Sequence, residues 1–185
     1  MDVDGMIDAV IDREGGYSDH RADRGGATRW GVTEAVARAQ GWRGTMRALP
    51  RAEAATIYRR LYWTRPRLDD VAARAPLLAA ELFDTGVNMG PATAICFLQR
   101  ALNALNRSGG DYPDMVVDGR VGPATLAALD AFLASRGRAA ENVLLKAVEA
   151  LQGERYVALA ERRPANEAFL YGWLANRMGQ AGEGA

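Results

Sequence analysis

Apolar residues recur along most of this chain at intervals of three and four, the spacing of amphipathic helices. Val3, Met6, Ile7, Val10 and Ile11 make the first run, with acids in its first turn and Gly15-Gly16 ending it after Glu14. Between Gly15 and Val32 the period is lost. Glycines and polar residues surround Tyr17 and Trp30, which predicts a loop and a short β-hairpin. Thr33 is placed to cap a second helix that stops at Gly41. Arg51 to Trp63 follows as an amphipathic helix with Ile57, Leu61, Tyr58, Tyr62 and Trp63. Pro76 suits the first position of a helix over Leu77 to Val87, the most apolar of the chain and the expected centre of the fold. Pro91 opens another, to about Leu105. Asn106 to Gly122 is polar and glycine-rich, a loop or hairpin linking two halves. Pro123 begins a helix through Leu133, a long helix spans Glu141 to Arg162, and Pro164 precedes a last one with Phe169, Trp173 and Leu174.

Composition narrows what such a protein can do. Its 185 residues suffice for one domain or two small lobes with a real core. Apolar residues at 49% and charged residues at 25% are those of an ordinary soluble protein. Cations and anions balance at 23 each, so there is no basic surplus for a nucleic acid. No apolar run approaches the roughly 20 residues that span a bilayer, so no membrane insertion is expected. The acidic opening Met1-Asp2-Val3-Asp4 lacks the form of a signal peptide, so synthesis in the cytoplasm and another route of release are expected. The expected state is a monomer.

Cys96 and His20 are the only residues of their types. A zinc site needs three or four good ligands and a nucleophilic triad needs a histidine base, so neither is available in ordinary form. Cys96, in Ala94-Ile95-Cys96-Phe97-Leu98, reads as a buried inert thiol, and His20 as an exposed loop residue. Any chemistry must run on carboxylates, and no cofactor is implied.

Glu14 is the sharpest candidate. It stands three, four and seven residues after Ile11, Val10 and Ile7, on the apolar stripe of its helix and in its last turn. An inward face and the negative helix end both disfavour an ionised carboxylate, as a general acid requires. Pairing with one of the many arginines is the structural alternative.

Glu14-Gly15-Gly16-Tyr17 is followed by Asp23-Arg24-Gly25-Gly26-Ala27-Thr28-Arg29-Trp30-Gly31-Val32-Thr33, with eight residues between Glu14 and Asp23 and four between Asp23 and Thr28. This segment resembles the signature of glycoside hydrolase family 108, bacterial and phage muramidases with lysozyme-like folds. The block Phe83-Asp84-Thr85-Gly86-Val87-Asn88-Met89-Gly90-Pro91 is similar to a second block of that family. Asp118-Gly119-Arg120-Val121-Gly122-Pro123-Ala124-Thr125 resembles the pattern of small helical peptidoglycan-binding modules, though a turn and a helix start would place the same residues. One departure is Ser18-Asp19-His20-Arg21, where relatives more often carry Asn and Pro.

The resemblance implies a mainly α, lysozyme-like fold with a small hairpin near the N-terminus and two packed lobes. It implies a catalytic region at 1–90, a peptidoglycan-binding-like region at 91–179 and a disordered tail at 180–185. It further implies cleavage of the β-1,4 bond between N-acetylmuramic acid and N-acetylglucosamine, with Glu14 as acid and Asp23 with Thr28 steadying water or developing charge. The partner is the peptidoglycan glycan strand. Tyr17 and Trp30 are candidates to stack on sugar, and Asp84 and Asn88 either bond to loop backbone or touch sugar. Two other functions fit the same signals: a binding module without catalysis, and a lytic transglycosylase. The complete Glu, Asp and Thr set weighs against the first. Phage lysis and wall opening for export would leave the same sequence.

Overall fold

A computed structural model describes residues 1–19 and 26–179 of the chain. It is mainly α-helical with a small antiparallel sheet near the N-terminus, as the pattern predicts, and it divides into two compact units at Thr64 and Arg65. His20, Asp23 and the tail 180–185 lie outside the described residues.

In the first unit, α1 (Val3–Glu14) starts at Asp2, whose carboxylate accepts from the Gly5 N–H at 2.9 Å. Its Ile7, Val10 and Ile11 are buried against α3 (Arg51–Tyr58), which contributes Ala54, Ile57 and Tyr58. Arg51 pairs with Asp8 and Asp12, and Arg59 with Asp4, tying the outer faces of the two helices together. These exposed pairs add little beside the apolar seam. The expected hairpin is a three-stranded sheet, β1 (Tyr17–Ser18), β2 (Thr28–Arg29) and β3 (Val32–Thr33), in that order. Thr33 caps α2 (Glu34–Ala39) as expected, its hydroxyl accepting from Val36 N–H at 3.3 Å.

The helix expected through Trp63 changes form after Tyr58, where Arg59–Thr64 is a π-helical turn. A π turn brings residues five apart onto one face, so Trp63 enters the core on the same side as Tyr58. Tyr62 stays beside Tyr58, with ring centroids 5.5 Å apart.

The second unit centres on α5 (Pro76–Met89), which packs on α4 (Leu68–Ala72), α6 (Pro91–Leu105) and α8 (Ala140–Arg162). The short α4 has no signal in the sequence reading. α7 (Pro123–Arg136) runs a turn beyond Leu133, and α9 (Glu167–Arg177) closes the unit after a 3₁₀ turn at Pro164–Asn166. Cys96 is half-buried, which corrects the expectation of full burial: it sits on the margin of the α6 face that buries Ile95 and Leu98.

Residues 106–122 form a loop without strands, and amide side chains hold it. The buried Gln99 accepts from the Asp118 and Gly119 N–H groups at 3.0 and 2.9 Å and donates to Asp118 at 2.8 Å. Asn103 brackets Met115, donating to its carbonyl at 2.8 Å and accepting from its N–H at 3.0 Å. A polar set crosses the α5–α8 seam: Gln152 donates to Thr85 at 2.9 Å, and Thr85 donates to the buried Glu81 at 3.0 Å. Burial, with Asp84 and Glu149 adding to it, pushes the Glu81 carboxyl up to about 7. Among the described residues no helix is long and apolar enough to cross a membrane.

Candidate active site

Glu14 is the last residue of α1, and it is exposed. This corrects the inward placement expected from its spacing. Ile7, Val10 and Ile11 are buried, but the core stops at Ile11 and the final turn carries Glu14 past it. Gly15, at φ 79°, then turns the chain away into the sheet.

What borders Glu14 is the turn between β2 and β3. Trp30 and Gly31 both have positive φ, 55° and 73°, the backbone of a two-residue type I′ hairpin. Gly31 satisfies two demands there. A β-carbon at Gly31 would lie 2.9 Å from both Cβ and Cγ of Glu14 and would collide with the Tyr58 hydroxyl. Trp30 is an uncommon residue in the left-handed region, so something must hold it. Its indole N–H donates to the Leu49 carbonyl at 3.0 Å, and the Arg29 guanidinium stands 5.2 Å from its ring centroid. Arg29 also bonds the Arg47 carbonyl.

The Tyr58 hydroxyl also lies against Gly31, and Tyr58 and Tyr62 both feel the charge of Glu14. Both phenols are pushed above their ordinary range, first by burial and then by the charge of Glu14. Both effects favour the neutral phenol. An exposed carboxyl beside two phenols is equipped to exchange a proton with a bound oxygen atom while remaining open to solvent. These two tyrosines are the site residues that the sequence reading left on an ordinary helix face. Their four-residue spacing, from the end of α3 into the π turn, was the available signal.

Cross-strand pairing sorts the hairpin residues by face. Tyr17 pairs with Arg29 and Arg29 with Val32, so these share a face, and the buried Val32 marks it as the core side. Ser18, Thr28 and Thr33 share the opposite face. Thr28 is half-buried, and its hydroxyl donates to the Gly26 carbonyl over a long 3.4 Å. Tyr17 donates to Asp19 at 2.9 Å, and the Arg47 guanidinium lies 4.2 Å from its ring centroid. Asp23 falls outside the described residues.

Asp84 and Asn88 belong to α5 in the second unit. Asp84 pairs with Arg177 of α9 at 3.2 Å, and the Asn88 amide donates to the Tyr156 hydroxyl of α8 at 2.5 Å. Both therefore reach helix side chains. Among the described residues no group of His, Cys, Asp and Glu is arranged to hold a metal ion.

Residues 7–90 match the family model of glycosyl hydrolase 108, and residues 93–178 match that of a predicted peptidoglycan domain. Among solved structures the chain is similar to SagA of Brucella abortus, with 27% identity and a TM-score of 0.56 over 90% of this chain and 94% of that one. No curated protein matches the chain.

Proposed function

Residues 7–90 of the chain belong to the glycosyl hydrolase 108 family and residues 93–178 to the predicted peptidoglycan domain; from that premise of a lysozyme-like enzyme acting on peptidoglycan, we propose that it is a muramidase. Its reaction is hydrolysis of the β-1,4 bond between N-acetylmuramic acid and N-acetylglucosamine. Glu14 protonates the leaving oxygen, and Asp23 with Thr28 positions the attacking water or steadies the developing positive charge. The observation that supports this best is the exposed Glu14 carboxylate, bordered by the Trp30–Gly31 turn and by Tyr58 and Tyr62.

Thr28 lies on a short strand that leads straight into that turn, on the sheet face away from Val32. A rigid hairpin can thus present a hydroxyl to substrate while its turn fixes the stem of the acid. Tyr17 and Trp30 are sugar contacts in this reading. Asp84 and Asn88, held by Arg177 and Tyr156, have a structural part within the second unit in this reading. Residues 1–90 carry catalysis and 91–179 carry wall binding. The chain acts as a monomer on the wall, either in phage lysis or in opening the wall for export.

Mass spectrometry of fragments released from purified walls tests the reaction. Hydrolysis predicts products ending in a reducing sugar. Products lighter by one water would mean ring closure by the substrate's own hydroxyl and would overturn it.

A further inference from the structure

The second unit contains a cleft of about 440 Å³, between loop residues 112–118 and the start of α7. This is within the roughly 300–1,000 Å³ of small-ligand sites. Its walls are aliphatic, formed by Pro113, Met115, Val116, Pro123, Ala124 and Ala127. Val116, at its edge, is 82% exposed. The polar edge carries both signs, with Asp114 and Asp118 on one hand and Arg120 on the other.

Most side chains of the Asp118–Thr125 block are occupied in building this cleft. Asp118 accepts from Gln99 and from the Arg120 N–H, and Thr125 accepts from Gln99 at 3.2 Å. Gly119, at φ 72°, lies so close to α6 that a β-carbon would stand 2.9 Å from the Ala92 carbonyl oxygen. Arg120 differs: its backbone is held while its side chain is exposed at the rim.

We propose that this cleft binds the short peptide stem of peptidoglycan rather than its sugar chain, an inference that rests on the reading of the chain as a wall-acting enzyme. Pyranose rings are uncharged and are gripped by open aromatic faces. The one ring in the lining, Tyr112, is buried and donates its hydroxyl to the Leu102 carbonyl at 2.8 Å. A stem peptide offers what the cleft can take. Its alanine methyls suit the aliphatic walls, its free carboxylates suit Arg120, and its side-chain ammonium suits the exposed Asp114.

Calorimetry on the full chain tests this with two probes: the tripeptide of alanine, γ-linked glutamate and diaminopimelate, and glycan strands stripped of peptide by an amidase. The tripeptide should bind the unaltered chain. It should bind about tenfold more weakly to Arg120→Ala, which removes the cation, and to Ala127→Phe, which fills the cleft from an exposed helix position. Melting temperatures should not change. No tripeptide binding at millimolar concentration, equal binding to both folded variants, or stripped strands that lose affinity in these variants would each overturn the inference. Wall lysis by the unaltered chain separates the two readings. A chain that lyses walls and ignores the tripeptide refutes the cleft alone, whereas one that binds the tripeptide and lyses nothing refutes the muramidase.

Discussion

The stem of Glu14 and the backbone of Gly31 are in such close approach that a β-carbon on Gly31 would stand 2.9 Å from both Cβ and Cγ of the glutamate. A helix end and a hairpin turn are thereby locked to each other through a residue with no side chain. Gly31→Ala combines that clash with a left-handed φ of 73°, and should cost about 1–3 kcal/mol of stability. Wall lysis per folded molecule should fall as well, because the turn or the carboxyl must shift. Thermal unfolding and a turbidity assay read the two effects, and a variant unchanged in both would remove the turn from the site.

The two phenols beside Glu14 give a test that needs no substrate. Burial and the Glu14 charge both raise Tyr62, so Glu14→Gln should bring it back part of the way and leave the burial effect in place. Ring NMR shifts followed through alkaline pH measure this. An unmoved Tyr62 would mean that the carboxylate does not face it.

The buried Glu81 predicts a pH dependence of opposite sign to the usual carboxylate. Its folded value, about 7, stands above the ordinary 4.5, so folding favours the protonated form. The stabilisation is fully present below about pH 4.5 and is lost as pH rises through 7, by up to about 3 kcal/mol. Asp84 and Glu149 face it and add to the shift. Urea unfolding from pH 4.5 to 8 should show this decline, and Glu81→Gln should flatten it. Identical slopes in the two proteins would contradict the assignment.

Asp118 separates scaffold from ligand contact in the second unit. Asp118→Ala deprives Gln99 and the Arg120 N–H of their acceptor, so the melting temperature should fall. Wall affinity per folded molecule should hold. Unchanged melting with weaker pelleting on walls would reverse these roles.

Much of this was legible in the chain because helices announce themselves through period and punctuation. Pro76, Pro91 and Pro123 each stand at the first position of a helix, and Thr33 caps α2. The exposure of Glu14 was not legible. Spacing gives the face of a helix but not where the core beneath it stops, and here it stops one turn early. Nor does any residue between Arg59 and Thr64 declare a π turn, since that form follows from burying Trp63 beside Tyr58. The partners of Asp84 and Asn88 were hidden for a similar reason. Four-residue spacing puts them on one face without saying that Arg177 and Tyr156 come to meet it.

The measurement that tests the central claim most directly is lysis of purified walls by Glu14→Gln. This change keeps the size of the side chain and removes its proton chemistry. The site is exposed, so the fold and wall binding should be retained. Loss of a general acid should slow cleavage by about 10²–10⁴. A correctly folded Glu14→Gln protein that still clears walls at a rate near that of the unaltered chain would contradict the account.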